Sequence, residues 1–220
     1  MKNPKNPASP PVKSIPKVST GIAGLDDILE GGLPKGRTTL AGGGPGSGKT
    51  ILGLEFVYRG ALAGEPGVFI SFEESAAAVR QNARALGWGL AALEQAGKLV
   101  LLNPRLPTEV TVSGDFSLKG LLAILHGQVR ALRAKRIVID AVDVLTRIYD
   151  DPKRERNELY ALQHWLIDHQ LTAILTAKLG EDAEPSGRHG YLDFMTDCVL
   201  RLDQRVAGQL TTRRLRVIKY

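Results

Sequence analysis

Three groups of residues in this 220-residue chain have the types and spacing that chemistry requires. The first is Gly43-Gly44-Pro45-Gly46-Ser47-Gly48-Lys49-Thr50, which matches G-x-x-x-x-G-K-[ST], a phosphate-binding loop. Glycines let the backbone wrap a phosphate without Cβ clashes, so successive N–H groups and a helix N-terminus point at the anion. Gly44, Pro45, Gly46, Ser47, Gly48, Lys49, Thr50 and Ile51 are therefore the nucleotide-binding candidates. Lys49 would reach the β- and γ-phosphates, and the Thr50 hydroxyl would ligate Mg²⁺.

The second group is Asp140, which ends the apolar run Ile137-Val138-Ile139. A carboxylate there suits the hydration shell of a hard cation opposite the loop threonine. Asp143 competes for that role but lies past the strand end. The third is Glu73-Glu74, at the end of Val68-Phe69-Ile70-Ser71-Phe72. Ligands of open α/β sheets sit at the carboxyl ends of strands, so one of these glutamates can orient and deprotonate water as general base. Glu73-Glu74-Ser75 also suits the start of a helix, where acids meet the positive dipole end, and both readings can hold at once.

These candidates need elements to hold them. Arg37–Leu40 reads as a buried strand before the loop, and Ile51–Tyr58 repeats apolar residues at helical spacing after it. Further strands are expected at 68–72, 99–102, 136–140 and 172–176, and helices at 75–87, 118–133 and 155–169. Ser19 or Thr20 is expected to cap a helix whose apolar face is Ile22, Leu25, Ile28 and Leu29. Residues 198–202 and 215–218 read as antiparallel strands joined at Ala207-Gly208-Gln209. The alternation predicts an α/β fold, a mostly parallel sheet flanked by helices with antiparallel strands at its C-terminal edge.

One domain suits this length, preceded by an arm. Residues 1–17 carry five prolines and almost no apolar content, so a flexible basic arm is expected there and a folded domain over 18–220. The net charge is +6, of which Lys2, Lys5, Lys13 and Lys17 supply four charges. A polyanion partner such as nucleic acid is thus possible, but aromatics at 5% do not interleave with the basic residues, so it is not favoured. The single cysteine, Cys198, excludes a disulfide framework, and no apolar run approaches a bilayer span. A cytoplasmic, membrane-free protein is expected. His126, His164, His169 and His189 show no mutual metal-ligand spacing and read as surface or packing residues, as does Trp88.

Ser-Thr-Gly-Ile-x-Gly-Leu-Asp ahead of Gly-Gly-Leu-Pro-Lys-Gly-Arg, then the phosphate loop, then Phe-Ile-Ser-Phe-Glu-Glu-Ser, resembles the KaiC-like branch of the RecA-type ATPases. The resemblance runs from about Ser19 to Tyr220. It implies a RecA-like P-loop core, ATP with Mg²⁺, and a homo-oligomeric ring, often a hexamer, with nucleotide held between subunits. It also implies that Glu73 and Glu74 match the family's catalytic glutamates and Asp140 its metal-site aspartate. Two departures stand out. Ala141 replaces the serine that often follows that aspartate, and Asp193-Phe194 precede Met195-Thr196-Asp197 where the autophosphorylating domain has adjacent Ser and Thr. Ser186 and Thr196 are nearby hydroxyls, but neither is at the matching position, so an ATPase without autokinase activity is expected.

The leading expectation is a slow ATPase whose turnover drives conformational signalling to a protein partner. The alternatives are a RecA-type DNA-dependent ATPase and a non-hydrolysing module that uses ATP as assembly glue. In the family the final strand carries Lys-x-Arg-Gly, whose basic side chains reach the neighbouring subunit's phosphates. Lys219 supplies the lysine and the sequence stops before the arginine. A truncated form, or one domain of a longer protein, is therefore expected, with Lys219 at a frayed end and with weak assembly and turnover.

Overall fold

The computed structural model describes residues 15–104, 118–146, 149, 151–179 and 190–220. Ser186, His189 and most of the proline-containing 103–116 segment lie outside the described residues, as does the arm up to residue 14. In chain order the elements are β1 (Lys17–Val18), α1 (Leu25–Ile28), β2 (Leu33–Pro34), β3 (Thr38–Gly43), α2 (Lys49–Leu62) and β4 (Gly67–Ser71). Next come α3 (Ala76–Ala85), α4 (Leu90–Gln95), β5 (Leu99–Leu102), α5 (Leu118–Leu132), β6 (Arg136–Asp140) and α6 (Val142–Thr146). The chain continues through α7 (Pro152–Asp168), β7 (Thr172–Lys178), α8 (Tyr191–Met195), β8 (Cys198–Ala207) and β9 (Leu210–Lys219).

One seven-stranded sheet runs in the order β5-β4-β6-β7-β3-β8-β9. All its pairings are parallel except β8 with β9, so the expected architecture is the observed one. Successive side chains of a strand leave on opposite faces. Ile137 and Ile139 accordingly join one core with α5 and α7, while Val138 joins the other with α2, α3 and α4. Both faces are covered, which is why the inner strands read as continuous apolar runs.

Local chemistry sets the helix starts. Ser75 caps α3 by accepting from the Ala78 N–H (3.2 Å), and Asp151 caps α7 just before Pro152. The expected helix near Ser19 is reduced to the single turn α1, and Ile28 is 58% exposed rather than on a buried face. The cause lies upstream. Ser19 and Thr20 turn their hydroxyls onto the Asp26 carboxylate (2.6 and 2.7 Å) instead of capping, and Gly21 and Gly24 take left-handed conformations. Lys17 already belongs to a strand, because β1 and β2 pair as a short antiparallel ribbon that sequence reading missed.

The C-terminal end is held, not frayed. Tyr220 donates its hydroxyl to the Leu29 and Gly32 carbonyls (2.7 Å each), and its ring lies 4.6 Å from the Lys17 ammonium.

Candidate nucleotide site

The loop after β3 makes its turn at Gly46 (φ 72°) and Gly48 (φ 101°), backbone conformations that a side chain would strain. Gly48 then caps α2. Lys49 is 8% exposed and folds back, donating to the Gly43 and Gly44 carbonyls (2.8 Å each). Burial holds the Lys49 pKa below its ordinary value; Lys178 adds to that depression, while Asp140, Asp143 and Glu73 oppose it.

The next side chain meets the second candidate. Thr50 donates its hydroxyl to the Asp140 carboxylate, 3.0 Å from Oδ2 and 3.3 Å from Oδ1. Thr176, near the end of β7, donates to the same carboxylate. Burial raises the Asp140 pKa, and these hydroxyls and Lys49 pull against it. The approach of α2 to β6 depends on two helical glycines. A Cβ on Gly53 would fall 2.7 Å from the Val138 side chain, and one on Gly60 would overlap the Arg136 side chain. A glycine seam thus seats the helix carrying Thr50 onto the strand carrying Asp140. The Asp140–Ala141 peptide is cis.

Glu73 and Glu74 follow β4, whose Ser71 is in register with Asp140. The turn is braced from two sides. Ser71 Oγ accepts the Glu74 N–H (2.9 Å), and Asn103 donates to the carbonyls of Ser71 (2.8 Å) and Glu74 (2.9 Å). The two carboxylates diverge. Glu73 ion-pairs with Lys178, and Lys178 lines a cavity of about 610 Å³ with Gly43, Gly44, Pro45 and Ser47. Glu74 accepts from Asn82 (2.9 Å) and lines a smaller cavity of about 290 Å³ with Gly46, Gly48, Thr50, Ile51 and Arg213. Sequence reading missed Lys178, Asn82 and Asn103. No local pattern marks them.

Lys219 is brought elsewhere. Its ammonium donates to the Asp193 (3.2 Å), Phe194 (3.4 Å) and Thr196 carbonyls at the end of α8. Asp193 itself pairs with Arg201 through both carboxylate oxygens (2.8 and 2.6 Å). The histidines hold one surprise. His126 and His169, distant in sequence, meet with Nδ1 and Nε2 3.0 Å apart, and His169 also stacks on Trp165. Two rings fall short of a protein-built metal centre. No group of three or more His, Cys, Asp or Glu side chains suited to a metal occurs among the described residues. Cys198 is buried and its thiol is pushed up to about 11, so it is a packing residue. Trp88 stacks on Tyr58, with ring centroids 5.5 Å apart. None of the described helices is long and apolar enough to cross a membrane.

The site is oxygen-rich where a hard cation would need ligands and N–H-rich where phosphate would need donors. Thr50 and Asp140 therefore fit Mg²⁺, and the loop from Gly44 to Ile51 fits the polyphosphate it accompanies. Comparison with known proteins agrees with this geometry. Residues 18–220 match the family model "ATPase: KaiC". The circadian clock protein KaiC2 of Synechocystis is 39% identical over 209 residues, which is 94% of this chain and 36% of the relative. The circadian clock oscillator protein KaiC of Parathermosynechococcus lividus is 37% identical over 94% of this chain and 39% of its own. The chain thus spans well under half the length of these relatives. A KaiC-like protein from the hyperthermophilic archaeon Pyrococcus horikoshii superimposes with a TM-score of 0.81 at 30% identity, covering 93% of this chain and 88% of that one.

Proposed function

The chain belongs to the KaiC ATPase family, and we propose that it binds ATP with Mg²⁺ and hydrolyses it slowly to ADP and phosphate within a homo-oligomeric ring. The observation that carries this reading is the meeting of Thr50 with Asp140 beside Lys49, which sets two hard oxygen donors against a phosphate cradle.

In this reading the backbone N–H groups of residues 44–51 hold the phosphates and Lys49 spans the β- and γ-phosphates. Mg²⁺, when bound through Thr50 and Asp140, supplies charge neutralisation at the phosphate oxygens. A water attacks the γ-phosphorus as the bond to the β–γ bridging oxygen breaks and ADP leaves. Glu73 or Glu74 takes the water's proton. The position of Glu73 beside Lys178, on the same side as the loop's opening strand, supports it as the base. Glu74 borders the cavity next to Thr50 and Ile51, on the side of the helix start.

The ring reading rests on the family resemblance. In a ring, Lys219 would leave its carbonyls and reach a neighbour's phosphates, and slow turnover would time a conformational signal to a protein partner. Asp193 occupies a hydroxyl position of the autophosphorylating domain, which supports an ATPase without autokinase activity. The test is a mass measurement in solution with and without ATP–Mg²⁺, followed by phosphate release from the same sample. A hexamer mass with nucleotide and slow release are expected. A chain that binds no ATP would overturn the reading. Turnover stimulated by DNA and falling steeply with salt would move it to the RecA-type class.

A further inference from the structure

Lys178 ends β7 directly beside Gly43, the first residue of the phosphate loop. Its backbone N–H donates to the Asp143 carboxylate (3.0 Å), which fixes the strand end. From there the ammonium passes over the end of β6, the strand lying between β7 and β4, to meet Glu73. The side chains of this pair are 41% and 37% exposed. An ion pair that wet contributes roughly 0–1 kcal/mol, so another anion can displace it at little cost. The strand ends aim such an anion at the same place, because Lys178 lines the larger cavity together with Gly43, Gly44 and Ser47. A terminal phosphate carries more charge than one carboxylate and presents several acceptor oxygens to an ammonium.

We propose that Lys178 is a catalytic residue that partitions between two anions, the Glu73 carboxylate and the terminal phosphate of bound ATP. This rests on the ATPase reading above. Pairing with the γ-phosphate frees the Glu73 carboxylate to accept a proton from water and adds a cation where charge builds up in phosphoryl transfer. ADP has no γ-phosphate. With ADP bound the ammonium therefore stays on Glu73, and the base remains neutralised by its partner. The same side chain thereby distinguishes substrate from product and ties the base to the presence of the group it attacks.

The experiment is calorimetric titration of the parent, Lys178→Met, Lys178→Arg and Glu73→Gln proteins with ATP and with ADP, each with Mg²⁺. Lys178→Met should weaken ATP binding by about tenfold, the scale of one charged hydrogen bond, and leave ADP binding within about threefold. Lys178→Arg should restore most of the preference for ATP. Glu73→Gln removes the competing anion, so it should tighten ATP binding by a few-fold and leave ADP binding unchanged. That arm keeps the idea testable if Lys178→Met fails to fold. An ATP-to-ADP affinity ratio that neither Lys178→Met nor Glu73→Gln alters would overturn the role of Lys178 alone. A parent that binds neither nucleotide would overturn both this role and the ATPase reading beneath it.

Discussion

Lys49 and Arg136 are both buried cations, 8% and 3% exposed, and the fold finishes them in different ways. Arg136 opens β6 at the end of the sheet remote from the phosphate loop. Its guanidinium donates to Glu65 (2.7 Å), the Phe56 carbonyl (2.9 Å) and the Ser19 carbonyl (2.8 Å), and it lies 4.5 Å from the centre of the Phe56 ring. Its charge is met by a carboxylate and its planar fork is used in several directions. Lys49 has only neutral oxygens in contact, the Gly43 and Gly44 carbonyls and the more distant Ser47 hydroxyl (3.5 Å), with the acids acting from further away, and burial disfavours its charged form. A cation completed by its own chain is architecture. A cation left on carbonyls is one that an incoming anion completes.

Lys49→Ala breaks that contrast most severely. It should abolish ATP binding, and any ATP-driven assembly with it, while shifting the urea midpoint little because no charge partner is orphaned. A variant that bound ATP as tightly as the parent would remove the phosphate-loop assignment. Next in size, Glu73→Gln with Glu74→Gln should retain ATP binding and lower hydrolysis by roughly 10²–10⁴-fold, the range for a lost general base. Unchanged phosphate release from the double variant would end that role, and the single variants would show which residue orients water.

Arg136→Met should do the reverse of Lys49→Ala. A loss of about 2–4 kcal/mol in unfolding free energy is expected, below the upper range for a broken buried pair because Glu65 is one-third exposed. Chemical denaturation would measure it, and ATP affinity of the folded fraction should change little. A midpoint as high as the parent's would mean that Arg136 is not the structural cation it resembles.

Two carboxylates repeat the comparison on a smaller scale. Burial works against ionised Asp26, but hydrogen bonds from Ser19, Thr20 and Gly21 outweigh it and hold its pKa below the ordinary 3.8. Burial wins at Asp140, whose pKa is raised. A lowered folded pKa means that Asp26 stabilises the fold above its unfolded value and that this is lost as pH falls through the folded value. Asp26→Asn should therefore lower the melting temperature at pH 7 and narrow the gap from the parent below about pH 4. Asp140→Asn should cost little stability at pH 7 while weakening Mg²⁺-dependent nucleotide binding. Equal melting curves for parent and Asp26→Asn across that range would count against the Asp26 turn as a stabilising unit.

The sequence and the structure agree where the signal is local. Short, nearly continuous apolar runs located the strands of the parallel sheet, because the inner ones bury both faces. The glycine spacing located the loop, and the polar end of the run at 137–140 located Asp140. What escaped depends on strand order or close approach. Lys178 is an ordinary lysine until β7 is known to lie beside β3, with β6 between β7 and β4. Gly53 and Gly60 read as weak points in a helix until β6 is seen against them. His126 and His169 need α5 and α7 to be neighbours before they are a pair. Ser19 and Thr20 carried the right chemistry near a helix start, but their hydroxyls donate to the Asp26 side chain and accept from the Gly21 and Ile22 N–H groups, upstream of the first turn of α1.

The place of β3 in the sheet also sets an order in time. Leu40 pairs with Leu175 on one side and Val199 on the other, so the strand that launches the phosphate loop waits for residues far downstream. β4, β5 and β6 find one another over shorter separations, and closing the longer loops costs more entropy before any contact repays it. The nucleotide site is therefore expected to assemble late on the folding route. Interactions absent from the transition state slow unfolding without speeding folding. ATP added to refolding protein should accordingly leave the folding rate unchanged and lengthen the life of the native state, and acceleration of folding by ATP in stopped-flow refolding would show that β3 docks early.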